Sequence, residues 1–219
     1  EDRRFHVDLG ASWRLDPNWV RKILTELKPR FFYSAVGITG IDMEIGHILK
    51  EAGCVKFLDV VKPYGKKWNF ILPALRYTDI SHCNDVEAMG ITGKSDISLA
   101  LEELIKFGPK IVCVTRGAKG TLLITKNVEI SQPPFKVKVV DPTGAGDAFY
   151  AGIISKLMEL KDIKMASPEE LAEILMYGQA AGSLACMGVG ATTTVSKYGL
   201  DRIMNQQGDI LKETTITEL

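Results

Sequence analysis

A carboxylate set in the first turn of a helix, just after a glycine-rich turn, has the means to do chemistry. In Val139-Val140-Asp141-Pro142-Thr143-Gly144-Ala145-Gly146-Asp147-Ala148-Phe149 that carboxylate is Asp147. The apolar, β-branched run over 136–140 ends in a turn that leads straight into an amphipathic helix. Gly144 and Gly146 permit close backbone approach, and the first amides of a helix point outward without intrahelical acceptors. Such a turn can hold an anion. With Asp147 facing the held group, it becomes a way to move a phosphoryl group onto a hydroxyl. The same residues also make an ordinary helix start, with Thr143 as N-cap and an acid suited to the helix dipole.

Two further clusters bear on the choice. Asn84-Asp85-Val86-Glu87 follows a strand and opens a helix, where open α/β sheets place their ligands. An amide there can reach a phosphate oxygen, and the carboxylate can hold Mg²⁺ through water. Read in isolation, Asn84 and Glu87 are close to a capping box. Thr115-Arg116-Gly117-Ala118-Lys119-Gly120 is a strand end whose glycines and hydroxyl can face phosphates, and in isolation it is a hairpin turn. Two apparent motifs fail. Gly93-Lys94-Ser95 resembles the end of a P-loop, but Ala88 stands where the first glycine is required and the preceding residues read as helix. Gly144-x-Gly146 lacks the third glycine of a dinucleotide fingerprint, which falls on Phe149, and this disfavours a nicotinamide-dependent oxidoreductase.

The elements that must position these residues alternate between short apolar runs and helical patterns, the signature of a mostly parallel sheet flanked by helices. Strands are expected over 31–36, 55–61, 80–83, 111–115 and 121–125, the last two as a hairpin. Helices are expected over 42–52, 68–75, from Asn84, 95–107 with Ser95 or Asp96 as cap, 144–160, 168–186 and 197–205. Residues 62–67 read as a basic surface turn. The whole of 1–219 reads as one α/β domain, a three-layer α/β/α sandwich.

Composition narrows the partners. A hydrophobic share of 46% over 219 residues is enough for a real core. Twenty-seven basic residues balance 27 acidic ones, which argues against nucleic acid or an anionic membrane as partner. The uncharged run over 174–196 reads as a buried helix and a close-packed loop, not a membrane span. Cys54, Cys83, Cys113 and Cys186 are far apart, as expected of reduced thiols in a cytoplasmic protein. His82 and Cys83 are adjacent but lack further ligands for a metal. The chain opens at Glu1-Asp2-Arg3-Arg4-Phe5 with neither Met nor leader character, so an N-terminal part is expected to precede it.

Taken in order, these pieces resemble the ribokinase-like (pfkB) carbohydrate kinase family. Asp141 to Asp147 matches its Asp-x-Thr-Gly-Ala-Gly-Asp signature in full, Asn84 to Glu87 its Asn-x-x-Glu motif, and Thr115-x-Gly117 its nucleotide-binding turn. Ala180-Ala181 through Gly190-Ala191 is similar to the late helix and loop that border the adenine. The resemblance implies transfer of the γ-phosphoryl group of ATP to a primary hydroxyl of a fructose- or ribose-like sugar. It implies Asp147 as base and Gly144, Ala145 and Gly146 as anion hole. Asn84 and Glu87 would organise phosphates and Mg²⁺, while Thr115, Gly117, Gly120, Thr143 and Gly178 would meet the nucleotide. A monovalent cation such as K⁺ would sit among Asp141, Thr143, Ala185, Gly188, Gly190 and Thr194.

The family's early Gly-Gly segment and its small β lid have no match here. Residues 5–9 are expected as the lid's last strand, and a homodimer is expected through the rest of the lid. The family's Asp-x-Asn appears as Asp59-Val60-Val61, and Gly178 stands where Asn is common. Two other readings remain open at this point: a nucleoside kinase of the same family, and a regulatory protein that binds a nucleotide without catalysis.

Overall fold

The computed structural model describes residues 8–61, 67–160 and 166–219. Most of the lid strand expected over 5–9 and of the basic turn over 62–67 lies outside the described residues. Of the former, Leu9 already has helical backbone and precedes a short helix. The chain divides into two compact units, Glu1–Val112 and Cys113–Leu219.

The first unit runs α1 (Gly10–Trp13), α2 (Pro17–Leu27), β1 (Phe31–Val36), α3 (Ile45–Glu51) and β2 (Val55–Val60). A 3-10 turn over Trp68–Ile71 then passes into α4 (Leu72–Leu75), β3 (Ile80–Asn84), α5 (Asp85–Thr92) and α6 (Ile97–Lys106). β1 and β3 both pair with β2 in parallel, with Ala35 beside Asp59 and Asp59 beside His82. Asp59, one residue from the end of β2, therefore stands beside His82 in the middle of β3. Phe57, Leu58, Ile48, Leu49, Leu75 and Leu101 are fully buried around these strands. Asp96, not Ser95, caps α6, accepting from the amides of Ser98 and Leu99. The helix expected from residue 42 starts only at Ile45, because the Asp42 carboxylate is held by the amide and hydroxyl of Thr39 in the turn before it.

β4 (Ile111–Thr115) spans the division between the units. The second unit continues with a 3-10 turn over Gly117–Lys119, β5 (Thr121–Ile124), β6 (Val128–Gln132), α7 (Ala145–Leu157), α8 (Pro168–Ala185), α9 (Lys197–Gln207), α10 (Ile210–Glu213) and β7 (Thr215–Glu218). β6 pairs antiparallel with both β5 and β7. The fold is α/β, and its strands are mixed: parallel in the first unit, antiparallel in the second.

The β-branched run over 136–140 forms no strand. The backbone of Lys136 pairs instead with the side-chain amide of Gln207, and Val139 and Val140 are more than half exposed. The apolar run over 174–196 is a buried helix followed by a loop, and among the described residues no helix is long and apolar enough to cross a membrane. α7 and α8 pack closely because small residues face one another at Gly152, Gly178 and Gly182. A Cβ on Gly152 would lie 2.5 Å from the Tyr177 carbonyl oxygen, and one on Gly182 2.9 Å from that of Ala145.

Candidate functional site

In the second unit, the turn before α7 is anchored to the end of α8. The amides of Val140 and Asp141 both donate to the Cys186 carbonyl, at 2.7 and 3.2 Å. Asp141 Oδ1 accepts from the Thr143 amide at 2.9 Å, which closes the turn. Gly144 is the N-cap of α7 at φ 78°, and a side chain there would also overlap Ala191. Both conditions call for glycine. No side chain caps α7, so the expectation of Thr143 as N-cap is corrected: the cap is a glycine in the left-handed region, and the Thr143 amide is drawn back to Asp141. The Ala145 amide donates to the Pro142 carbonyl at 3.2 Å and that of Ala148 to Gly144 at 2.9 Å. Gly146 lies between them, its amide too early in the helix for an i−4 partner. Asp147 is exposed in this first turn, while Ala148, Phe149 and Tyr150 are buried behind it. The α7 dipole and the local amides favour negative charge at this end.

The loop after α8 borders the same turn. Thr194 Oγ1 donates to the Leu184 carbonyl at 2.5 Å, Thr193 Oγ1 to Val189 at 2.9 Å, and Gly190 has φ 87°. A Cβ on Gly188 would press on the Thr194 methyl, and Ala185 is buried. Asp141, Thr143, Ala185, Gly188, Gly190 and Thr194 thus belong to one knot of backbone around the α8 terminus. Its carbonyls and one carboxylate are hard oxygen donors of the kind an alkali cation takes.

The turn after β4 closes on itself: the Arg116 amide donates to the Gly120 carbonyl at 2.9 Å, and the Gly120 amide to Gly117 at 3.1 Å. Gly117 has φ 55° with open space over its Cα, leaving it accessible. Gly120 is buried against the Gln132 carbonyl, so its glycine is required by the turn. Gly178 is likewise accounted for by packing, since a Cβ there would lie 2.7 Å from Ile153 Cγ1.

In the first unit, Asn84 and Glu87 form the reciprocal cap that their spacing allows. The Glu87 amide donates to Asn84 Oδ1 at 2.8 Å and the Asn84 amide to Glu87 Oε2 at 2.9 Å. Burial pushes the Glu87 carboxyl above the usual carboxylate range. The Asn84 amide and the charge of His82 act against that rise, and the charge of Asp59 adds to it. His82 Nδ1 lies 2.9 Å from Asp59 Oδ1, and Tyr33 Oη donates to Asp59 Oδ2 at 3.1 Å. Tyr33 and His82 carry no motif. The signal that finds His82 is register, since it pairs with Asp59 across the parallel strands; Tyr33 pairs with Phe57 and reaches Asp59 only through its long side chain.

Among the described residues, no three His, Cys, Asp or Glu side chains converge as metal ligands. Mg²⁺ needs fewer, since it binds through one or two carboxylates together with phosphate and water, and Glu87 fits that need. Cys113 is buried, its thiol pushed up to about 12 by burial, so it is no nucleophile at neutral pH.

The chain spans only part of the known proteins it resembles. It is 32% identical over 139 residues to the bifunctional ribokinase/ribose-5-phosphate isomerase A of Fructilactobacillus sanfranciscensis, covering 60% of this chain and 24% of that protein. To fructokinase-2 of Zea mays it is 38% identical over 84 residues, 38% of this chain and 25% of the relative. The structure superposes on aminoimidazole riboside kinase from Salmonella enterica, solved with aminoimidazole riboside and an ATP analog, with a TM-score of 0.67 and 26% identity. That match covers 80% of this chain and 64% of the other. The pattern of the pfkB family carbohydrate kinases matches residues 42–197, well over half of the sequence, and the chain belongs to that family.

Proposed function

We propose that this chain carries the phosphoryl-transfer centre of an ATP-dependent kinase that acts on a primary hydroxyl of a fructose- or ribose-like sugar. The observation that carries the reading is the exposed Asp147 beside the glycine-capped start of α7. In this reading the acceptor oxygen attacks the γ-phosphorus and an O–P bond forms. The bond from that phosphorus to the β–γ bridging oxygen breaks, ADP leaves, and the hydroxyl proton passes to Asp147. Charge builds on the transferring group and the leaving oxygen, where the amides of Gly144 and Gly146 compensate it, that of Ala145 being drawn to the Pro142 carbonyl. Because positioning and charge stabilisation dominate such a transfer, a weak base is enough.

Mg²⁺ supplies charge neutralisation on the phosphates when bound. Glu87 would hold it through water, and the Asn84 amide would meet a phosphate oxygen. Thr115, Gly117 and Thr143 are the remaining nucleotide contacts in this reading, and K⁺ would take the oxygens of the Asp141–Thr194 knot.

A riboside acceptor is the second reading, supported by the sequence likeness to aminoimidazole riboside kinase, which spans 75% of this chain against 60% and 38% for the two sugar-kinase relatives. ADP release assayed with fructose, ribose, adenosine and aminoimidazole riboside, in wild type and Asp147→Asn, tests the proposal. Acceptor-dependent ADP formation that Asp147→Asn abolishes is expected. ATP binding with no turnover on any acceptor would favour a non-catalytic nucleotide-binding protein.

A further inference from the structure

A carboxylate taken out of water must be compensated. Asp59 on β2 is 8% exposed, and both its oxygens are engaged by side chains from the adjoining strands, Oδ1 by His82 and Oδ2 by Tyr33. His82 is itself 5% exposed. The strand that carries His82 ends at Asn84, whose cap closes on Glu87, and Glu87 feels the charges of both His82 and Asp59. Asp59, His82 and Glu87 thus belong to one charge cluster. Asp59 spends its oxygens inside the fold, whereas among the described residues the Glu87 carboxylate is hydrogen-bonded within its cap on Asn84.

We propose that Tyr33, Asp59 and His82 are positioning residues for the divalent cation that Glu87 takes with the nucleotide: they lock β1, β2 and β3 at the edge that presents the Asn84–Glu87 cap and keep Asp59 compensated, so that Glu87 is the carboxylate that meets the cation. The inference rests on the proposed cation role of Glu87. Groups that orient a metal-binding residue from behind typically set its affinity by about 10- to 100-fold.

The test is the affinity of the protein–ATP complex for Mn²⁺, read by electron paramagnetic resonance, with the thermal midpoint of each variant measured beside it. His82→Leu removes the donor to Asp59, and Mn²⁺ affinity is expected to fall about tenfold. His82→Gln, whose amide can still donate to Asp59, is expected to return to within about threefold of wild type, a rescue that a purely volumetric role would not give. A folded His82→Leu protein with wild-type affinity overturns the proposal, as does a His82→Gln protein as weak as His82→Leu. If His82→Leu does not fold, Tyr33→Phe gives the reading, because it deletes only one hydroxyl. About threefold weaker binding is expected there, and unchanged binding overturns the proposal. Glu87→Gln separates the two levels. Unchanged Mn²⁺ affinity in that variant removes the cation role of Glu87 and this inference with it. Weakened affinity in Glu87→Gln with none in His82→Leu overturns the positioning role alone.

Discussion

Asp147 and Gly144 divide the labour of the α7 turn, and substitutions at each should fail differently. Asp147 is exposed and touches the chemistry in the proposed reading, so Asp147→Asn should leave fold and ATP binding intact. General-base removal typically costs about 10²- to 10⁴-fold in rate, and kcat should fall within that range. ATP affinity by calorimetry should stay within about threefold. Gly144 is needed by the backbone. Gly144→Ala places a Cβ at φ 78° and against Ala191, so it should lower the melting temperature and weaken ATP binding together. A Gly144→Ala protein with wild-type stability and ATP affinity would show that the turn does not depend on this geometry. The residues of the turn were legible in the sequence because glycine spacing and a following helix carry physical meaning on their own. The alternative reading of Thr143 as a cap fails although its hydroxyl type suits the role, because Gly144 takes the cap and the Thr143 amide is drawn back to Asp141.

Among the elements, the three parallel strands and the longer helices from α6 onward were legible because their apolar periodicity is long and a cap such as Asp96 is distinct, whereas α2, which Asp16 caps, had no counterpart in the sequence reading. Of the antiparallel strands β5 was legible too, and β6 and β7 were not. β7 is exposed at all four positions and carries no alternation, and β6 has only five residues, although its burial alternates. The β-branched run over 136–140 forms no strand, because the backbone of Lys136 pairs with Gln207 and the Val140 amide with the Cys186 carbonyl. The α7–α8 contact supports a prediction at this scale. Replacing glycine by alanine inside a helix gains up to about 1 kcal/mol in propensity. At Gly152 the new Cβ would lie 2.5 Å from the Tyr177 carbonyl oxygen and 2.9 Å from Gly178 Cα, backbone atoms that cannot rotate away. Overpacking of about 1–3 kcal/mol should win, so Gly152→Ala should melt several degrees lower. Gly53, with nothing within 4 Å of its would-be Cβ, supplies the contrast. Gly53→Ala should melt at or above the wild-type temperature, and equal melting of the two variants would mean that the helices are not held at this distance.

For the molecule as a whole, acid stability should depend on Asp79, which belongs to none of the motifs. Asp79 is 7% exposed and receives Lys56 Nζ at 2.9 Å, Lys110 Nζ at 2.5 Å and the Lys56 amide at 3.0 Å. Burial alone would raise its carboxyl, but the bonds from Lys110 and Lys56 outweigh burial and hold it below the usual carboxylate range. The direction fixes the sign. A carboxylate whose folded pKa is depressed contributes stability in full above its unfolded pKa, about 3.9, and loses it as pH falls through the lower folded value. Wild type should therefore be stabilised by this group at pH 7 and lose that contribution below about pH 4. Asp79→Asn leaves two lysines facing an uncharged amide and should cost about 2 kcal/mol at pH 7 by urea unfolding, a discount on the fully buried case because Lys110 is half exposed. The gap between variant and wild type should narrow as pH drops from 5 towards 2, because protonation removes the same charge from the wild type. A gap that stays constant across that range would assign the loss to packing instead of charge.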